Sequence, residues 1–267
     1  MQAMQTERAT PVAYGVASKD HYGAGGLYSP VESDAESVDF ERGAEDDLDE
    51  GVRKALRLGF IRKVYGILSL QLLLTAVVSA VLTEVQACRD FVLANPALLW
   101  VGFFASIGIL FALMAYKDRH PLNAKLLFAW TLVEAYTVGV VCAAYTAAGQ
   151  GALVLEALFL TFSVFAVLTL FTFQSKIDFS FLGAGLGAAL WILIIWGVVS
   201  AFLGDAGGGI YSLFGATIFS GYIVFDTWLI TQKLGYDDYI LAAVTLYLDL
   251  INLFLYILQI LARNDRS

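Results

Sequence analysis

Four carboxylates lie inside stretches of this chain that are otherwise apolar: Glu134, Glu156, Asp226 and Asp249. No lysine or arginine stands mid-stretch to neutralise them. A charged side chain at the centre of a bilayer costs about 2.5–3.5 kcal/mol on insertion scales. Each of the four must therefore face another polar group, a wet cavity or a helix end. Glu156 stands in the first turn or two of its stretch and is read as reaching the interface. Glu134 is deeper, beside Tyr136 and Thr137, and is suited either to lining a pathway or to hydrogen-bonding a neighbour. Asp226 and Asp249 fall on consecutive stretches joined by a short connection, about 9 Å and about 15 Å from it at 1.5 Å per helical residue. Antiparallel neighbours bring such positions to similar depth. Without an arginine, two carboxyls at one depth are expected to share a proton, because both cannot cheaply ionise together. A pair of this kind can serve as a pH sensor, a cation site or an acid/base catalyst. Asn252 follows Asp249 on the same helix face, and Tyr222 and Thr227 flank Asp226. Together they supply neutral oxygens for a hard cation or a proton network.

The elements that must hold these residues are read from the apolar runs. A bilayer core needs about 20 apolar residues per helix. Seven stretches qualify: Val64–Leu82, Ala97–Tyr116, Leu126–Thr146, Ala152–Phe173, Phe179–Gly204, Gly209–Thr231 and Tyr239–Ala262. The runs are continuous and do not alternate at period two, which excludes membrane strands. The fold class expected is an all-α integral membrane protein, a bundle of seven transmembrane helices. None of the four prolines falls within a span. In the fifth span, Gly183 to Ala189 fits a dinucleotide-binding glycine pattern on paper, but no strand precedes it, so that reading fails. Gly183 and Gly187 are instead expected to form a smooth face for close helix packing.

Composition agrees with a chain solvated mostly by lipid. Hydrophobic residues make up 59% and charged ones 15%, against about 45–50% and about 25% in soluble domains. The mean hydropathy is +0.72. Residues 1–50 hold twelve acids and three bases, a net charge of −9, and are expected to form a disordered acidic tail. Residues 51–267, at twelve acids and thirteen bases, form the membrane domain. A nearly neutral body without a basic patch argues against nucleic acid as a partner. Cys88 and Cys142 cannot build a disulfide framework or a CxxC site. The first thirty residues lack a basic segment followed by an apolar run, so the first span is expected to direct insertion. Lysines and arginines near the spans number ten on the N-terminal side and three on the other. The N-terminus is therefore expected to be cytosolic. The C-terminus then lies across the membrane, unless the last helix re-enters.

Five segments resemble the transmembrane BAX inhibitor motif family, in its Lifeguard branch. They are Phe60-IRKVYGILSLQLLLT, His120-PLNAKLLFAWTLVEAYTVG, Leu168-TLFTFQSKIDFSFL, Tyr222-IVFDTWLI and Asp237-DYILAAVTLYLDLINLF. The resemblance implies six helices around a central, more polar seventh. It implies residence in the Golgi, endoplasmic reticulum or a related membrane, suppression of programmed cell death, and calcium leak through the bundle. It also implies that Asp226 and Asp249 are the pH-sensing, ion-gating pair and a transient calcium site, with calcium as permeant ion and no cofactor. Cell-death regulator proteins are implied partners, beside the bilayer, calcium and protons. A basic latch near the end of the second span would fall to Lys117 and Arg119. In the sixth span the family reads Phe-Asp-Thr-Gln, and here Trp228 replaces the glutamine.

Other readings of seven spans fit less well. A G-protein-coupled receptor would place Asp-Arg-Tyr after its third span, whereas Asp118-Arg119-His120 follows the second. A retinal protein needs a lysine in its last span, and none is there. An intramembrane aspartyl protease would need glycines before the second aspartate, where Leu248 stands. The expectation is therefore a non-enzyme, a pH-sensitive cation leak channel. A membrane scaffold acting through partner binding is the alternative.

Overall fold

In a computed structural model, residues 33–203 and 208–265 are described, with backbone only for 33–48, 201 and 203. The chain divides into two units, residues 1–49 and 50–267. The expected disorder of the acidic tail falls largely on residues outside the described set. The membrane bundle is the second unit.

The elements are α1 (Ser33–Glu84), α2 (Gln86–Ala94), α3 (Ala97–Ala115), α4 (Leu122–Ala147), α5 (Gly151–Gln174), α6 (Leu182–Leu203), α7 (Gly208–Gln232) and α8 (Tyr239–Asn264). Among the described residues seven helices, all but α2, are long and apolar enough to cross a membrane. The chain is a multi-pass membrane protein, and its outer surface calls for a lipid bilayer. The short α2 was not expected; it breaks from α1 at Val85, which is extended. It folds back to bury Val92 against Val140 and Ala143 of α4. Pro96 and Pro121 stand immediately before α3 and α4, where the missing N–H leaves no helical bond unmade. Gly149 turns the chain from α4 to α5 at φ 81°, a conformation that other residues resist.

The fifth span begins as a 3-10 turn, Phe179–Phe181, and becomes α6 at Leu182. Asp178 caps this turn by accepting a hydrogen bond from the Ser180 amide at 2.9 Å. That bond, joined by one from the Ser180 side chain, holds the Asp178 carboxyl below the usual aspartate range.

Helix α8 is the axis of the bundle. Of its apolar stretch 61% is buried, against 6% for the fifth span. It packs on α7 most extensively, then on α5 and α4, while α3 leans on α4 and α6 on α7. The central seventh helix implied by the resemblance is therefore observed, with α3 and α6 as outer layers. It also runs unbroken: Asp265, just past its end, accepts a hydrogen bond from Gln150 in the α4–α5 turn at 3.2 Å. The last helix does not re-enter.

Close helix approach depends on glycine, but not where the sequence pattern put it. A Cβ on Gly183 would stand 2.8 Å from the Phe225 ring, so this glycine does seat α7. A Cβ on Gly187 would meet nothing within 4 Å, so the expected second contact of that face is absent. Its place is taken from the opposite side, where Leu186 rests on Gly221. One helical step decides which side of α6 faces the bundle.

Candidate functional site

Asp226 lies on α7 and Asp249 on α8, the most closely packed helix pair, and they are 7% and 5% exposed. The two carboxyls are neighbours across the α7–α8 interface. Among the described residues no hydroxyl, amide or amine donates to Asp249 Oδ2. Two neighbouring buried carboxyls can hydrogen-bond only when one of them keeps its proton. Tyr222, one turn before Asp226, is close enough to feel the charge of both carboxyls. Among the described residues no group of three or more His, Cys, Asp and Glu comes together. A cation held here would have two carboxylates and neutral oxygens for donors.

The other residues expected near the pair are distributed differently. Thr245, one turn before Asp249, is the neighbour that the sequence reading missed. Its hydroxyl donates to the Ala242 carbonyl at 3.2 Å and lies within reach of the Asp226 carboxyl. Spacing of four from Asp249 was the available signal. Asn252 instead donates its side-chain amide to the Leu248 carbonyl of its own helix at 2.8 Å. Thr227 points away from the pair, toward α1 and α5. There its hydroxyl approaches those of Tyr65 and Thr169, and none of the three reaches hydrogen-bonding geometry.

Glu134 belongs to a separate network. It accepts a hydrogen bond from Ser106 of α3, which in turn accepts from Trp130 Nε1 at 3.1 Å. The Trp130 ring meets Tyr247 edge-on at 5.4 Å, and the Tyr247 hydroxyl bonds Thr75 of α1 at 2.8 Å. Glu134 is thus hydrogen-bonded to a neighbour, one of the two readings that its position left open.

The basic residues converge on the α7–α8 connection rather than on the aspartates. Lys117 Nζ lies 3.2 Å from Asp238 Oδ1, and Arg119 sits over the Tyr116 ring. Hydrogen bonding to Asp238, then its charge, lifts the Lys117 pKa above the usual lysine value. The stronger tie comes from Arg57, which the sequence reading counted only for orientation. Its guanidinium donates to the carbonyls of Ile230 and Leu234 at 3.2 and 2.7 Å and faces the Tyr236 ring at 4.9 Å. It thus satisfies carbonyls that the end of α7 leaves without helical partners. Lys63 Nζ lies 3.2 Å from the Tyr239 ring centre.

Comparison with known proteins places this arrangement. Residues 57–266 match the family described as inhibitor of apoptosis-promoting Bax1. The chain belongs to the BAX inhibitor family. The chain is 44% identical to the Golgi anti-apoptotic protein of vaccinia virus (strain Lister) over 229 residues, covering 84% of this chain and 95% of that protein. Mouse protein lifeguard 4 is also 44% identical over 229 residues, covering 84% and 94%. Bax inhibitor 1 of fission yeast, Schizosaccharomyces pombe, is 39% identical over 219 residues, covering 80% and 81%. Within this BAX inhibitor bundle Trp228, which stands where the family motif has glutamine, is 6% exposed. It clusters with Phe179 and Val224, stacks on Phe225 at 6.0 Å and lies under Lys233. An indole here fills the space between α7 and the turn that opens α6.

Proposed function

We propose that this protein suppresses programmed cell death from a Golgi or related endomembrane, by a pH-sensitive leak of calcium that Asp226 and Asp249 gate. The facing, base-free carboxyls carry this reading. With one proton between them, a hydrogen bond ties α7 to α8 and favours a closed bundle. When that proton leaves, two like charges stand side by side in a low-dielectric interior. The helices then separate, or a cation enters between the carboxylates. Calcium suits such a donor set of hard oxygens. The pH response belongs to the pair and not to either residue. The names of the viral and yeast relatives support the cell-death role, and the viral one supports the Golgi.

The test is calcium flux into liposomes holding the purified protein, measured across the physiological range of about pH 5 to 8. Asp226→Asn and Asp249→Asn should each flatten the pH profile, and the double variant should add little to either single one. Wild-type pH profiles in both single variants would overturn the gate. If the double variant still protected cells while its flux had changed, protection would rest on partner binding instead.

A further inference from the structure

A second feature lies apart from the aspartates. A cavity of about 680 Å³ opens between α1, α4, α5 and α8. Its wall on α1 runs from Ser69 to Glu84, about 22 Å along the helix at 1.5 Å per residue. It is therefore long and narrow, and parallel to the helix axes. Leu73, Leu155, Leu158 and Phe162 line it while remaining 62%, 69%, 52% and 63% exposed. They open the groove sideways, onto the flank that meets lipid.

Shape restricts the occupant. The slot is about 22 Å long at 1.5 Å per residue and lined mostly by apolar side chains, and an extended hydrocarbon chain matches it in both length and chemistry. Charge restricts it further. Glu84 lines one end of the groove. At the same end Arg89, from α2, donates to the carbonyl of Thr83, another lining residue, at 3.1 Å. An acid that lines the slot, and a base bonded to the backbone of the residue before it, thus mark the same end, where helix gives way to connection.

We infer that this groove is a binding site for one acyl chain of a zwitterionic glycerophospholipid. The chain lies along α1 from Thr83 toward Ser69. Arg89 meets the phosphate, and Glu84 the headgroup ammonium. The site rests on the membrane-spanning bundle alone and is independent of the proposed leak. The lipid would bridge α1 to α5 where their side chains leave the groove between them.

The test uses the full chain, purified in mild detergent and exchanged into nanodiscs of phosphatidylcholine, then analysed by native mass spectrometry. One retained phosphatidylcholine per protein is expected after the annular lipid is stripped. Ala76→Phe fills the groove from α1 and should lower retention at least fivefold while the melting temperature holds or rises. Glu84→Gln with Arg89→Ala leaves the groove open and should lower retention of phosphatidylcholine without excluding lipid altogether. Melting curves of each variant report whether it has folded. Equal retention by wild type and both variants would overturn the site. Equal retention of anionic phosphatidylglycerol by the wild type would overturn the headgroup assignment.

Discussion

Burial and the identity of the nearest polar neighbour decide what each intramembrane polar residue does. Asp226 and Asp249 are both buried on neighbouring helices with no basic side chain paired to either among the described residues, which is the setting that the proposed proton sharing requires. Glu134 has a hydroxyl partner in Ser106 and is thereby occupied in holding α3 to α4. The same logic makes the Thr75–Tyr247 hydrogen bond testable. Tyr247 is fully buried, and Thr75 is 5% exposed, so neither oxygen can turn to water. Thr75→Val should remove a bond worth about 0.6–1.7 kcal/mol in a membrane interior, and lower the melting temperature in detergent by a few degrees. Thr75→Ser should melt like the wild type. Equal melting of Thr75→Val and wild type would show that the bond contributes nothing.

Between elements, contact is set by which residues let helices approach. Gly215 of α7 is the most demanding position, because a Cβ there would stand 2.6 Å from two atoms of the Tyr256 ring on α8. Gly215→Ala should cost about 1–3 kcal/mol by overpacking the central helix pair. Gly187→Ala meets open space and should be neutral or gain up to about 1 kcal/mol of helix propensity. Thermal melting of the two variants side by side checks this, and the opposite ranking would refute the packing described. The α7–α8 connection is the second organiser at this scale. Arg57 of α1 and Lys117 of the α3–α4 connection reach it, and Lys63 of α1 lies over Tyr239 at the start of α8. The aspartate-bearing helices are thus anchored at the end nearest the pair.

For the molecule as a whole, seven helices among the described residues are long and apolar enough to cross a membrane, and α8 runs unbroken. An odd number of crossings is expected to put the N- and C-terminal sides on opposite faces. The lysine and arginine bias of ten to three is the basis for the expectation that the N-terminal face is cytosolic. In intact microsomes an N-terminal tag should be digested by added protease, and a C-terminal tag should be protected. Protection of the N-terminal tag would reverse the orientation. It would also move the aspartate pair, which lies toward the N-terminal face, away from cytosolic pH.

The bilayer explains why so much was legible before any tertiary structure. It demands long apolar runs and penalises every buried charge, so the seven spans and the pair Asp226 and Asp249 stand out from the chain by composition alone. The same solvent hides the rest. Lipid is as apolar as a protein core, so a span is hydrophobic on every face and its sequence gives little sign of which side turns inward. Which face of α6 carries a packing glycine, that Thr245 rather than Thr227 or Asn252 attends the aspartates, and that Glu134 joins Ser106 all depend on helix rotation. So does the reach of Arg57 across 173 residues to the end of α7. Rotation is decided only when the helices pack, through shape and hydrogen bonds that exist between elements and not within any one of them.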